Sequence, residues 1–94
     1  MQLAVNMVNE RRKIPVVGPA DLINMQYAWI MRLTGFSRQA IYKQFMYVRL
    51  EFGRKHVTVA DYCSYFDHDL PAMVAFINKE FQQRITMPLP FPQE

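Results

Sequence analysis

Between Gly35 and Gly53 the chain carries Ser37, Arg38, Gln39, Tyr42, Lys43 and Arg49, with Arg54 and Lys55 just beyond. These side chains are rich in hydrogen-bond donors. Arginine and glutamine can bond the edges of bases, and serine, tyrosine and lysine can bond phosphate oxygens. The chemistry on offer is non-covalent recognition of a polyanion. Arg38 and Gln39 would face base edges, and Ser37, Tyr42 and Lys43 would face phosphate. Arg49, Arg54 and Lys55 would add positive charge beside them. A solvated helix half followed by a polar loop accounts for the same residues, and residue types alone leave both readings open. Catalytic chemistry is less well served. His56, His68 and Cys63 share no metal-ligand spacing with one another or with the carboxylates, so neither a metal nor another cofactor is expected. Asp67 and Asp69 flank His68, but turn and capping duties explain both. No glycine-rich phosphate loop and no nucleophile motif is present. An enzyme is not expected, nor is a small-molecule substrate.

A pair of helices must hold the candidate residues in place. The apolar run Leu22 to Leu33 predicts a helix over about 20–33, with Leu22, Met25, Trp29 and Leu33 on one face and Ile23, Tyr27, Ile30 and Met31 beside it. Thr34-Gly35 stops it, since glycine takes the left-handed conformation that ends helices, and Ser37 is a natural N-cap for the next. Ile41, Phe45, Val48 and Phe52 then form the apolar stripe of a helix over about 37–52, and Gly53 closes it. Arg38, Lys43 and Arg49 fall away from that stripe. Thr58-Val59-Ala60-Asp61 has the form of a capping box and opens a helix over about 58–66 with Val59, Tyr62 and Phe66 inward. Asp69 can cap a helix over about 70–84 that has Pro71 in its first turn and Met73, Ile77 and Phe81 at four-residue steps.

Upstream, the two prolines of Ile14–Pro19 predict an extended linker, preceded by residues 1–13 as a short helix, a strand or a loose arm. Downstream, Pro88, Pro90 and Pro92 predict an extended, polyproline-like tail over 85–94. The expected fold is all-α. It is a compact bundle of four to five short helices over 20–84, between an arm and linker (1–19) and a proline-rich tail (85–94), with little that looks like a sheet.

A helix, a glycine turn and a second helix with exposed basic and amide groups make a helix-turn-helix, whose second helix enters the DNA major groove. Phe36 after the turn glycine and Ile41 six residues beyond it fit the sites that set the helix crossing. Met31 stands where alanine is usual, and Gln44 where an apolar residue is usual, with Phe45 beside it. The segment Leu33-Thr-Gly-Phe-Ser-Arg-Gln-Ala-Ile-Tyr-Lys43 resembles the reading motif of excisionase and MerR-type winged helix-turn-helix proteins. Gly53 to Tyr62 is more loosely similar to the wing and following helix of those families. The resemblance implies a transcriptional regulator or an excisionase-like factor of a mobile element, acting on double-stranded DNA. A homodimer is expected, because one short helix supplies limited affinity. There is also an internal echo. Laying Gly35 on Asp67 aligns Ile30 with Tyr62, Met31 with Cys63, Ile41 with Met73 and Phe45 with Ile77. A chance likeness of helical hairpins explains this equally well.

The totals set bounds on these readings. Ninety-four residues, 51% hydrophobic and with three glycines, make one small domain with a real core. The net charge is +3 and unevenly placed: residues 14–55 hold six basic and two acidic side chains, and residues 56–94 hold two basic and five acidic. Such polarity suits docking on a polyanion through one face, although two ordinary solvated faces would show it too. No apolar run reaches the ~18–20 uncharged residues of a membrane helix, and Met1–Val8 does not read as a secretion signal. A single cysteine, Cys63, excludes an internal disulfide and fits a reducing cytoplasm. The contrasting reading is a helical interaction or assembly module that uses its methionine- and aromatic-rich surface and binds no nucleic acid.

Overall fold

The computed structural model describes residues 17–87. Along the chain run β1 (Val17–Pro19), α1 (Tyr27–Thr34), α2 (Arg38–Phe52), α3 (Val59–Phe66), α4 (Leu70–Phe81) and β2 (Arg84–Thr86). Local capping chemistry sets most boundaries. Gly35, at φ 79°, ends α1 and donates its N–H to the Met31 carbonyl at 2.8 Å. The Thr34 hydroxyl braces the same turn, donating to the Ile30 carbonyl (2.8 Å) and accepting from the Phe36 N–H (3.0 Å). Ser37 caps α2, its Oγ accepting from the Ala40 N–H at 3.2 Å, and Gly53 at φ 65° closes it. Thr58 caps α3 by accepting from the Asp61 N–H at 3.0 Å.

Several expectations need correction. The helix expected over 20–33 starts only at Tyr27. The backbone before it is bonded elsewhere: Met25 N–H donates to the Val57 carbonyl, while the carbonyls of Ile23 and Ala20 accept from the N–H groups of Val59 and Ala60. Residues 20–25 thus satisfy the first donors of α3, which would otherwise lack partners inside their own helix. Leu22, expected on an apolar face, is 73% exposed.

The described residues are also not purely helical. β1 and β2 pair in parallel, with Gly18 opposite Ile85, and Ala20 N–H continues the ladder to the Thr86 carbonyl at 2.7 Å. Parallel strands need a long crossover, and here the whole helical body serves as one. The last residues of the expected linker are therefore β1, and the extended segment expected from 85 begins as β2 at Arg84. Gly18 sits at φ 152°, and a Cβ there would lie 3.2 Å from Ile23 Cδ1, so any larger residue would be strained. α4 ends at Phe81 rather than 84, with Gln82 left-handed at φ 51°. Asp69 holds the N-cap position of α4 without a side-chain capping bond. The readings for 1–13 and for prolines 88–92 lie outside the described residues.

The core gathers one face of each helix: Trp29 and Ile30 from α1, Ile41, Phe45 and Val48 from α2, Tyr62 and Cys63 from α3, and Met73 and Ile77 from α4, closed by Ile85 of β2. The two helical hairpins, α1–α2 and α3–α4, share a plan. Each opens with an 8-residue helix ended by a left-handed residue, Gly35 or Asp67 (φ 59°), and in each the next helix begins three residues later. The paired positions Ile30 and Tyr62, Ile41 and Met73, and Phe45 and Ile77 are all buried. Met31 and Cys63 differ: Cys63 is buried as the small packing residue, whereas Met31 is 38% exposed.

Candidate nucleic-acid interface

The turn at Gly35–Ser37 presents the start of α2 to solvent. Ser37, Arg38, Gln39, Tyr42 and Lys43 are all exposed, while Ile41 and Phe45 on the opposite side anchor the helix in the core. Because Ser37 Oγ is engaged only as the acceptor for Ala40 N–H, its hydroxyl proton can still be donated outward. Gln39, Tyr42, Lys43, Met46 and Tyr47 line one open groove, and Tyr27, Arg38, Gln39 and Tyr42 line a second one beside it. The structure therefore brings Arg38, Gln39, Tyr42 and Lys43 onto one continuous outward surface. No acidic residue lies in this half of α2, whose one carboxylate is Glu51.

Arg38 is positioned by Tyr27, which periodicity sets beside the main apolar face of α1. Its guanidinium carbon stands 4.8 Å from the centre of the Tyr27 ring, a cation–π contact worth about 0.5–1 kcal/mol at an exposed site. Tyr27 itself is half-buried and packs edge-on to Phe45, with ring centres 4.8 Å apart. No periodicity in the sequence could reveal this contact, because it crosses the turn between two helices.

Arg49, Arg54 and Lys55 are placed differently. Arg49 is half-buried on the flank of α2. Arg54 and Lys55 follow the helix's far end, about 22 Å from its start at 1.5 Å per residue. Lys55 is exposed. Arg54 lies over the Phe52 ring (5.9 Å) with Nη1 3.3 Å from Asp61 Oδ2. The distance is that of an ion pair, yet its alignment falls short of a hydrogen bond, and Oδ2 is buried without one. Arg54 thus compensates an inward carboxylate, which leaves less of its charge for an outside ligand. Asp61 closes no capping box, because its carboxylate faces Arg54.

The orientation of α2 is further set by Gln44. Its Oε1 accepts a hydrogen bond from the Tyr62 hydroxyl at 2.7 Å. A polar residue at this packing position is therefore accommodated by a polar partner on α3. Among the described residues no cluster of three or more His, Cys, Asp or Glu could hold a metal, and no helix is long and apolar enough to cross a membrane. The chain matches no protein-family model, no curated protein and no solved structure.

Proposed function

We propose that the protein binds double-stranded DNA, placing the N-terminal half of α2 in the major groove as a small transcriptional regulator or excisionase-like factor would. The observation that carries this reading is the solvent-facing start of α2, where Arg38, Gln39, Tyr42 and Lys43 project beyond a tight turn while the other side of the helix is locked in the core. Arg38 suits the acceptor edge of guanine, and Gln39 suits adenine, which offers one donor and one acceptor. Ser37, Tyr42 and Lys43 suit phosphate oxygens and would fix the register. Arg49, Arg54 and Lys55 contribute to the field rather than to base contacts. A cytoplasmic setting fits this reading, with Cys63 as a buried free thiol.

The test is a selection against random duplexes, followed by titration of the recovered site at several salt concentrations. Arg38→Ala should weaken binding and relax the preference at its guanine by about 1–3 kcal/mol, the loss of a bidentate base contact. Gln39→Ala should relax the preference at one base pair by about 1–3 kcal/mol with little change in slope. Gln39 is exposed, so its variant should unfold unaltered, while Arg38→Ala should lose no more than the roughly 0.5–1 kcal/mol of its contact with Tyr27. Absence of any salt-sensitive duplex binding at low ionic strength overturns the proposal.

A second reading, a helical interaction module without nucleic-acid binding, draws support from the exposed Met46, Tyr47 and Leu50 further along α2. It requires association that is insensitive to salt and to Arg38→Ala.

A further inference from the structure

Past its basic first half, the outward side of α2 becomes apolar: Met46, Tyr47 and Leu50 are 39%, 55% and 77% exposed. Isolated apolar residues on a surface are ordinary, but three within one and a half turns form a patch. We propose that this half of α2 docks antiparallel on the same half of α2 in a second copy, about a two-fold axis at Tyr47.

Charge complementarity selects the partner and the direction. Lys43 and Glu51 are both exposed and stand one helical turn to either side of Tyr47, and Glu51 is the one acid of α2. Within one chain they are eight residues, about 12 Å, apart along the axis and cannot pair. In an antiparallel pair centred on Tyr47, Lys43 of each copy meets Glu51 of the other, twice by symmetry. The Tyr47 rings meet on the axis, flanked by Met46 and Leu50. A parallel pair would set lysine against lysine and glutamate against glutamate, which repel.

The two helices overlap over residues 42–52 and leave residues 38–41 projecting at both ends. Nine residues separate Arg38 from the axis, so the two Arg38 backbones stand roughly 27 Å apart along the helices. The ~34 Å between successive major-groove half-sites on one side of a duplex is then reached only by the arginine side chains extending outward. This spacing rests on the DNA reading above, whereas the pairing itself does not. In the pair Lys43 serves the other copy's Glu51, and phosphate contact falls to Ser37 and Tyr42. Three apolar side chains per copy make a small interface beside the ~1,200 Å² of stable complexes. Association should therefore be weak in free solution, with a Kd of roughly 0.1 mM, and strengthened when one duplex holds both copies.

Sedimentation equilibrium of the full chain without DNA tests the pairing. Lys43→Glu and Glu51→Lys should each weaken dimerisation about tenfold, the double reversal should restore it to within about twofold, and Tyr47→Glu should abolish it. All three positions are exposed, so the unfolding curves should coincide. A chain that stays monomeric up to about 1 mM overturns the proposal, as does a double reversal no better than the single ones. Association lost on deleting residues 88–94 but indifferent to charge reversal would also overturn it, assigning the patch to the proline-rich tail. Because DNA is absent, failure here leaves the functional proposal standing, and failure of DNA binding leaves the pairing standing.

Discussion

Gln44 occupies a place in α2 where an apolar residue would be the simpler solution, and what makes it tolerable is one atom of α3. The Tyr62 hydroxyl donates to Gln44 Oε1 at 2.7 Å, while the Tyr62 ring, 1% exposed, stacks on His68 (5.7 Å) and packs against Phe66 (4.7 Å) and Phe45 (6.0 Å). The bond adds to Ile41, Phe45 and Val48 in holding the rotation of α2 about its axis, and with it the direction in which Gln39 and Tyr42 project. Tyr62→Phe keeps the ring but removes the donor, leaving a half-buried carbonyl oxygen unpaired. It should cost about 1 kcal/mol in urea denaturation. Gln44→Leu in the same chain should recover part of that loss, because replacing both partners by apolar groups of similar shape approaches neutrality. A double variant that merely sums two losses would show that the pair does not act as a unit.

At the scale of elements, legibility followed the range of the hydrogen bonds. α2 could be read almost to the residue because its cap (Ser37), apolar stripe (Ile41, Phe45, Val48) and terminator (Gly53) all lie within it. Residues 20–25 could not, because their partners are Val57, Val59 and Ala60 across the fold. The two strands are three residues each, too short for any alternation to show. The candidate site divides the same way. Exposure of Ser37, Arg38, Gln39, Tyr42 and Lys43 was legible from helical periodicity, whereas the Tyr27 platform under Arg38 and the Asp61 partner of Arg54 bridge separate elements.

β2 shows what replaces local signal. The Asn78 side chain acts as a miniature strand, accepting from Ile85 N–H and donating to the Ile85 carbonyl, both at 2.9 Å. Asn78→Leu removes both bonds and should cost about 2 kcal/mol. The loss should be local before it is global. Hydrogen exchange at Ile85 and Ala20 should accelerate well ahead of the α2 amides. Uniform acceleration across all helices would contradict this division.

At the scale of the whole molecule, the basic and acidic halves meet at the surface through Arg32 and Glu80 (2.8 Å). Arg32 is exposed and Glu80 half-buried, and such a surface pair contributes no more than about 1 kcal/mol. The interior holds the stronger pH dependence. Burial pushes the Cys63 thiol from its usual 9.0 to about 11, with the nearby Asp69 charge adding to the effect. Burial likewise pushes the Tyr62 phenol from 10.0 to about 12, with Cys63 adding to it. Both groups are held in their protonated form by the fold, so the unfolded chain releases these protons first. Their contribution to stability is fully present below pH 9 and falls as pH rises, between 9 and 11 for Cys63 and between 10 and 12 for Tyr62. Each can steepen the decline by at most about 1.4 kcal/mol per pH unit. Between about pH 9 and 10 the thiol dominates. Cys63→Ala should therefore flatten the urea-midpoint profile in that interval while Tyr62→Phe flattens it above pH 10. If the profiles of the native chain and Cys63→Ala run parallel from about pH 8 to 11, the thiol is not held protonated by the fold.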